Sequence, residues 1–281
     1  MLTGFPFALD SGVLSHRGMV RAHNEDSVLS MPEVGLWVVA DGMGGHSAGD
    51  VASQTIVAAE AEVGQPDSVA DLQARFLERL DLAHDRIRTY SQSHGGSTVG
   101  STVVALLCCG EHFACIWAGD SRVYRLRDGK LLQLTTDHTE AQELLRRGIL
   151  TAEQAQTWPR RNVITRAIGV FDEPNPDQIT GKIVAGDTYL LCSDGLTEHV
   201  TNSEIAFHMA HDASQACCEA LVNLTLERGA RDNVSVIVVR CGQRPSASAR
   251  GDMDDSEKTR PGLMRVREVF DRNNRQDQNG G

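Results

Sequence analysis

No stretch of the 281 residues approaches ~20 uninterrupted apolar positions, so no membrane-spanning helix is expected. The N-terminus, Met1-Leu-Thr-Gly-Phe-Pro, lacks a basic segment followed by a long apolar one, and no secretory leader is read there. Basic residues are in deficit: 27 Lys and Arg stand against 38 Asp and Glu, a net charge of −11. That balance argues against a general nucleic-acid binder, which needs a basic face. Paired cysteines are also missing. The seven, at 108, 109, 115, 192, 217, 218 and 241, are odd in number and contain no Cys-x-x-Cys, so neither a disulfide framework nor a zinc site is expected. Most lie in apolar runs and read as reduced core residues of a cytoplasmic protein. No coiled-coil repeat is present, which favours a monomer.

What is there is a set of acidic turns beside apolar strands. The run Leu36 to Ala40 reads as a buried strand that ends at Asp41, followed by Gly42, Met43, Gly44, Gly45 and His46, with a helix from Ala48 to about Val63. Asp41 offers carboxylate oxygens, and Gly42 a bare carbonyl, as hard cations prefer. A single such turn is explained as well by a helix cap. The pattern recurs, however. The strand Phe113 to Ala118 leads to Gly119-Asp120, the strand Asp187 to Ser193 ends on Asp194-Gly195, and Asp232 precedes a last strand, Val234 to Val239. If these strands share one core, their ends can converge. Several carboxylates in one pocket repel and desolvate badly unless cations neutralise them. Two divalent ions can share a water, lower its pKa and direct it at phosphorus. Arg21, in the polar loop Arg17 to Ser27 with the adjacent Glu25 and Asp26, has a planar fork suited to phosphoryl oxygens.

The remaining elements are read from periodicity and end signals. Expected strands are Gly12–His16, Val28–Met31, Ser101–Cys109, Val123–Leu126 and Lys130–Leu134, the last two joined by Asp128-Gly129 as a hairpin. A long amphipathic helix capped by Asp67 or Ser68 runs to Ser93, with Leu72, Phe76, Leu80, Ala83 and Ile87 on one face. Thr201-x-x-Glu204 is a capping box for a helix to His211, and a further helix from Ala213 stops at Gly229. From residue 242 the composition turns to Gly, Ser, Pro, Asp, Arg and Asn, so 242–281 is expected to be a disordered tail. Leu263 to Phe270 is a short amphipathic exception within it.

At this point the chain resembles a family. Arg21-x-x-Asn24-Glu25-Asp26, Val39-Ala-Asp41-Gly42-Met43-Gly44-Gly45-His46, Gly100-Ser-Thr102, Gly119-Asp120-Ser-Arg122, Leu134-Thr-x-Asp137-His138, Ile164-Thr-Arg166-Ala-x-Gly169, Leu191-Cys-Ser193-Asp194-Gly195-Leu196 and Asp232-Asn233 occur in the order typical of PPM/PP2C-type metal-dependent protein serine/threonine phosphatases, in their compact bacterial form. The resemblance implies an α+β fold, a four-layer α-β-β-α sandwich of two mostly antiparallel sheets flanked by helices, with residues 1–241 as the catalytic domain. It implies two Mn²⁺ or Mg²⁺ ions and a third, weaker one. Asp41 would bridge two ions with the Gly42 carbonyl on one; Asp194 and Asp232 would hold the other. Glu25 and Asp26 would act directly or through metal waters, and Asp120 would serve the third ion. Arg21 would clamp phosphate, and residues 139–168 would form a flap beside the cleft.

Many eukaryotic members place a histidine directly after the Asp-Gly pair as a general acid. Here that position is Met43, as in bacterial relatives, which leaves His46 or a water on the third metal as the acid. His23 and His138 are read as structural or loop residues. The implied substrates are phosphoserine and phosphothreonine proteins, the targets of a cognate serine/threonine kinase, secretion machinery among them. Two other readings compete: a phosphatase-fold module that binds phosphoproteins without catalysis, opposed by the intact set of acidic residues, and a metal phosphodiesterase or nuclease, disfavoured by the acidic charge and the motif order.

Overall fold

Strands whose residues are apolar at both alternating positions must be buried on both faces, which places a sheet inside a layered structure. The computed structural model, which describes residues 6–44 and 48–243, has this arrangement. Its strands are β1 (Phe7–His16), β2 (Asp26–Met31), β3 (Leu36–Gly44), β4 (Val99–Ser101), β5 (Val103–Cys109), β6 (His112–Ala118), β7 (Arg122–Arg127), β8 (Lys130–Gln133), β9 (Asp177–Lys182), β10 (Thr188–Cys192) and β11 (Val234–Gln243). Its helices are α1 (Ala48–Glu60), α2 (Val69–Ser93), α3 (Glu140–Arg146), α4 (Ala152–Gln156), α5 (Asp194–Thr197), α6 (Asn202–His211) and α7 (Ser214–Glu227). One sheet has the order β1-β11-β10-β7-β8; the other runs β2-β3-β5-β6-β9, with β4 also paired to β3. Every pairing is antiparallel.

The side-chain alternation assigns each strand to two of three cores. In β3, Leu36, Val38 and Ala40 face α1 and α2, where they meet Ile56, Leu72, Phe76 and Leu80. Trp37 and Val39 point the other way, between the sheets, to Val104, Leu106, Trp117, Tyr189 and Ile237. On the far side Tyr124, Leu190, Val236 and Val238 meet Ile205, Met209, Cys217 and Leu221 of α6 and α7. The result is the four-layer α-β-β-α sandwich expected.

Several boundaries differ from the sequence reading. β1 starts at Phe7 rather than Gly12, and β11 runs on to Gln243, because the two pair over their whole length from Phe7↔Gln243 to His16↔Val234. The expected strand Ser101–Cys109 is broken at Thr102. β9 was not anticipated: Ile179 is its one large apolar residue, and it sits at a sheet edge with alternately half-buried and exposed positions. β3 does not end at Ala40. It continues through Asp41 to Gly44 because β4 provides partners, Gly42↔Ser101 to Gly44↔Val99. Asp41 therefore stands within a strand and not at the mouth of a turn. The caps match expectation: Ser68 accepts from the Asp71 N–H at 3.1 Å, and the Thr201/Glu204 box is closed in both directions. The segment expected to be a flap carries α3 and α4, closed by a Thr139↔Ile164 bridge and a Trp158 indole hydrogen bond to Glu140 at 2.9 Å. Of the expected tail, 242–281, Gly242 and Gln243 belong to β11, where they pair with Ala8 and Phe7, and residues 244–281 lie outside the described residues.

Candidate metal centre

Asp41 and Asp26 stand directly opposite each other on β3 and β2. Paired residues of an antiparallel ladder share a face, and like charges there repel. Burial pushes the Asp26 carboxyl up to about 6, with the neighbouring Asp232 charge adding to the rise. Asp41 is driven well above the ordinary carboxylate range, first by burial and then by Asp26, Asp194, Asp120 and Asp232. Asp194 rises for the same reasons, burial followed by Asp120, Asp232, Glu198 and Asp26. Asp120 is pushed up to about 6 by burial and by Asp137. Acidic residues from both sheets thus act on one another, and Asp41 feels four of them.

Each carboxylate is placed by its local fold. Asp26 opens β2, and its Oδ2 accepts from the Ser193 hydroxyl at 2.8 Å. Ser193 in turn accepts the Ser235 N–H at 3.0 Å, which ties the end of β10 to β11. Asp194 is the first residue of α5, where a negative charge suits the helix N-terminus. The Asp232 Oδ1 accepts the N–H of Asn233, at 2.8 Å. The Asn233 amide also receives the Glu25 N–H at 2.8 Å and donates to the Arg17 and His23 carbonyls, so one side chain fixes the loop that carries Arg21 and Glu25. The Glu25 carboxyl is raised by burial and opposed by the Gly49 N–H. Gly42 cannot be replaced by a larger residue, because a Cβ would collide with the Gly49 carbonyl oxygen. That close approach brings the start of α1 against β3.

Arg21 is about half exposed, and one of its Nη atoms donates to Asp232 at 2.6 Å. It is therefore at the acidic cluster, as expected, although its partner is a carboxylate. Arg122 grips Asp137 through Nε and Nη2 at 2.6–3.1 Å. His138 is buried, accepts the Gly119 N–H on Nδ1 at 3.2 Å and stacks beside Trp117, which is the structural part expected of it. His46 lies outside the described residues. Sequence reasoning gave no role to Thr102, Ser121, Ser193 or Asn233. Serine, threonine and asparagine carry no pattern that separates a buried anchor from a loop residue, and only their place in the quoted motifs marked them.

Two oxygens, Asp26 Oδ1 and Asp120 Oδ1, are buried without any hydrogen-bond partner. A buried, orphaned carboxylate oxygen beside other carboxylates is a donor atom suited to a cation. The donor set is all oxygen, which selects Mg²⁺ or Mn²⁺ over softer metals. Among the described residues no three acidic, histidine or cysteine side chains already close around a single point. The residues fit a divalent-cation centre.

Fold and site together define a candidate centre for hard cations at the end of a two-sheet sandwich. The family model for protein phosphatase 2C matches residues 15–234, and the chain belongs to that family. The serine/threonine protein phosphatase PstP of Mycobacterium tuberculosis is 38% identical over 225 residues, which is 80% of this chain and 43% of PstP. This chain thus spans less than half the length of that relative. Among solved structures, PppA, described as a key regulatory component of T6SS in Pseudomonas aeruginosa, is 41% identical with a TM-score of 0.78, over 83% of this chain and 97% of that one. The catalytic domain of PstP in complex with two manganese ions is 36% identical with a TM-score of 0.73, over 83% and 98%.

Proposed function

We propose that this chain hydrolyses phosphoserine and phosphothreonine esters on proteins with the help of Mn²⁺ or Mg²⁺. The observation that carries the reading is the convergence of Asp26, Asp120, Asp194 and Asp232 on Asp41, whose carboxyl each of them pushes up, with Arg21 at the rim. Membership of the protein phosphatase 2C family and likeness to a two-manganese catalytic domain support it. When bound, the ions supply Lewis acidity and make a water acidic enough to attack phosphorus in line.

This chain's own residues would do the rest. Asp41, at the centre of the mutual charge effects, suits a bridging role, with the Gly42 carbonyl beside it. Asp194 and Asp232 suit the second position, Glu25 and Asp26 the waters around the first, and Asp120 a third and weaker ion. Arg21 suits the phosphoryl oxygens. Its fork donates to Asp232, and its planar pair of N–H groups also suits two phosphoryl oxygens. Met43 follows the Asp-Gly pair and cannot donate a proton. His46 is one proposed acid.

The alternative of an inactive phosphoprotein-binding module has little support, because every expected carboxylate is present. The narrower readings are a target phosphorylated by a cognate serine/threonine kinase, a monomeric protein acting in the cytoplasm, and, from the likeness to PppA, a target in a secretion apparatus. No described helix is long and apolar enough to cross a membrane.

The test is hydrolysis of phosphothreonine, phosphoserine and phosphotyrosine peptides with Mn²⁺ and with EDTA. The expected result is Mn²⁺-dependent release of phosphate from the first two. Binding of a phosphopeptide with no turnover in Mn²⁺ would favour the inactive module instead.

A further inference from the structure

In a regular antiparallel ladder, alternate facing pairs exchange two main-chain bonds, and a pair that makes one is expected to make both. Asp41 faces Thr102, since the register Val39↔Val104 and Gly42↔Ser101 continues through them. Half of that exchange is present: the Thr102 N–H donates to the Asp41 carbonyl at 2.8 Å. The other half is replaced. The Asp41 N–H donates to the Thr102 side-chain Oγ1 at 3.2 Å, while the Thr102 carbonyl is taken by the Ser101 hydroxyl at 2.7 Å. The Ser101 hydroxyl also reaches the Asp41 carbonyl, at 2.9 Å. The strand is broken at Thr102 for this reason.

The same Oγ1 crosses to the other sheet. It lies 2.8 Å from the Ser121 hydroxyl, and both residues are almost fully buried. Ser121 follows Asp120 at the entrance to β7. On its other side, Thr102 packs against Gly119, which has φ +114° and where a Cβ would come within 2.6 Å of the Thr102 Cβ and Cγ2. Gly119 therefore has two reasons to be glycine, its backbone angle and this contact. Thr102 is thus a junction: its hydroxyl holds the Asp41 backbone and the Asp120–Ser121 turn, and its methyl seats the turn's glycine.

We propose that Thr102 and Ser121 are positioning residues that set the separation of Asp41 on β3 from Asp120 in the turn that leads from β6 to β7 of the other sheet, and so tune the affinity of the acidic cluster for divalent cations. This rests on the metal-centre reading above. Groups that orient metal ligands typically change affinity or activity 10–100-fold when removed. A valine at 102 keeps the shape and the Gly119 contact but leaves the Asp41 N–H and the Ser121 hydroxyl without their partner. A serine keeps the hydroxyl.

The experiment is Mn²⁺ titration by calorimetry on the full chain and on Thr102→Val, Thr102→Ser and Ser121→Ala, with peptide hydrolysis and thermal melting run alongside. Thr102→Val is expected to weaken Mn²⁺ binding about 10-fold or more and to lower kcat, with KM for the peptide within about threefold. Thr102→Ser should recover both to within about threefold, and Ser121→Ala should show a smaller loss of the same kind. Wild-type Mn²⁺ affinity in a folded Thr102→Val variant would overturn the proposal. If Thr102→Val fails to fold, wild-type affinity in Ser121→Ala would do so. A wild-type chain that takes up no Mn²⁺ would overturn the metal-centre reading, and this proposal with it.

Discussion

The molecule buries carboxylates in two places, and the two are built differently. At the end of the sandwich, Asp26 and Asp120 are buried and Asp41 and Asp194 half-buried beside them, with Ser193, Thr102 and Ser121 holding their side chains or backbones. At the end of α1, Glu60 is buried alone. It is 0% exposed, and neither carboxylate oxygen has a hydrogen-bond partner. Burial pushes its pKa up to about 9, against which Arg79 works weakly. Burial is the first cause of the shift in both places. In the cluster, like charges add to it and hydrogen bonds orient the group; at Glu60 nothing orients the carboxyl. Burial alone thus does not mark a site. Convergence of several carboxyls, with hydrogen bonds that fix them, does.

The largest expected effect tests the cluster. Asp194→Asn should lower phosphothreonine hydrolysis by about a thousandfold, about 4 kcal/mol in the barrier, while circular dichroism stays unchanged. Retention of more than about a tenth of the rate would remove Asp194 from the metal set.

The next effect tests Glu60, in stability rather than rate. Its folded pKa lies above the ordinary 4.5, so the folded state holds the proton more tightly. The contribution is fully present below about 4.5 and is lost progressively as pH rises toward about 9. Glu60→Leu removes that loss. It should stabilise the protein by about 2–3 kcal/mol at pH 8.5, and by much less at pH 5, in urea unfolding, with hydrolysis unaffected. An advantage independent of pH would show that Glu60 is not protonated in the fold.

Arg21→Ala follows. Loss of a charge-assisted contact to phosphate should reduce kcat/KM about 10–100-fold, about 1.4–2.7 kcal/mol, and Arg21→Lys should restore only part of it. Full restoration by lysine would mean that charge alone matters there. The smallest effect is Ser193→Ala. Removing the hydroxyl that serves Asp26 and Ser235 should cost about 1 kcal/mol, or about 2–4 °C in the melting midpoint. An unchanged midpoint would mean that the Ser193 link carries no net stability.

The contrast also explains what the sequence made legible. The acidic positions beside strands were readable because Asp41, Asp120, Asp194 and Asp232 interrupt apolar runs. So were the Asp128-Gly129 hairpin, which adopts φ 50° and 71°, and the capped ends of α2 and α6. The passage of β3 through Asp41 was not readable, because the glycines there reported a close contact with Gly49 and looked like a turn. β9 has too few apolar residues to betray an edge strand. The hydroxyl links between the sheets depend on partners as far apart as Asp26 and Ser193, and no local pattern encodes those. Glu60 is a single glutamate in a helical stretch, and its solitude was visible only once α1 and α2 were packed.

The central claim is that this cluster is a divalent-cation centre with Asp41 at its middle. Anomalous diffraction from crystals grown with Mn²⁺ tests it most directly. Two manganese peaks are expected, both within coordination distance of the Asp41 carboxylate, with Asp194 and Asp232 on one of them. Folded, Mn²⁺-saturated crystals with no peak against Asp41 would contradict the account.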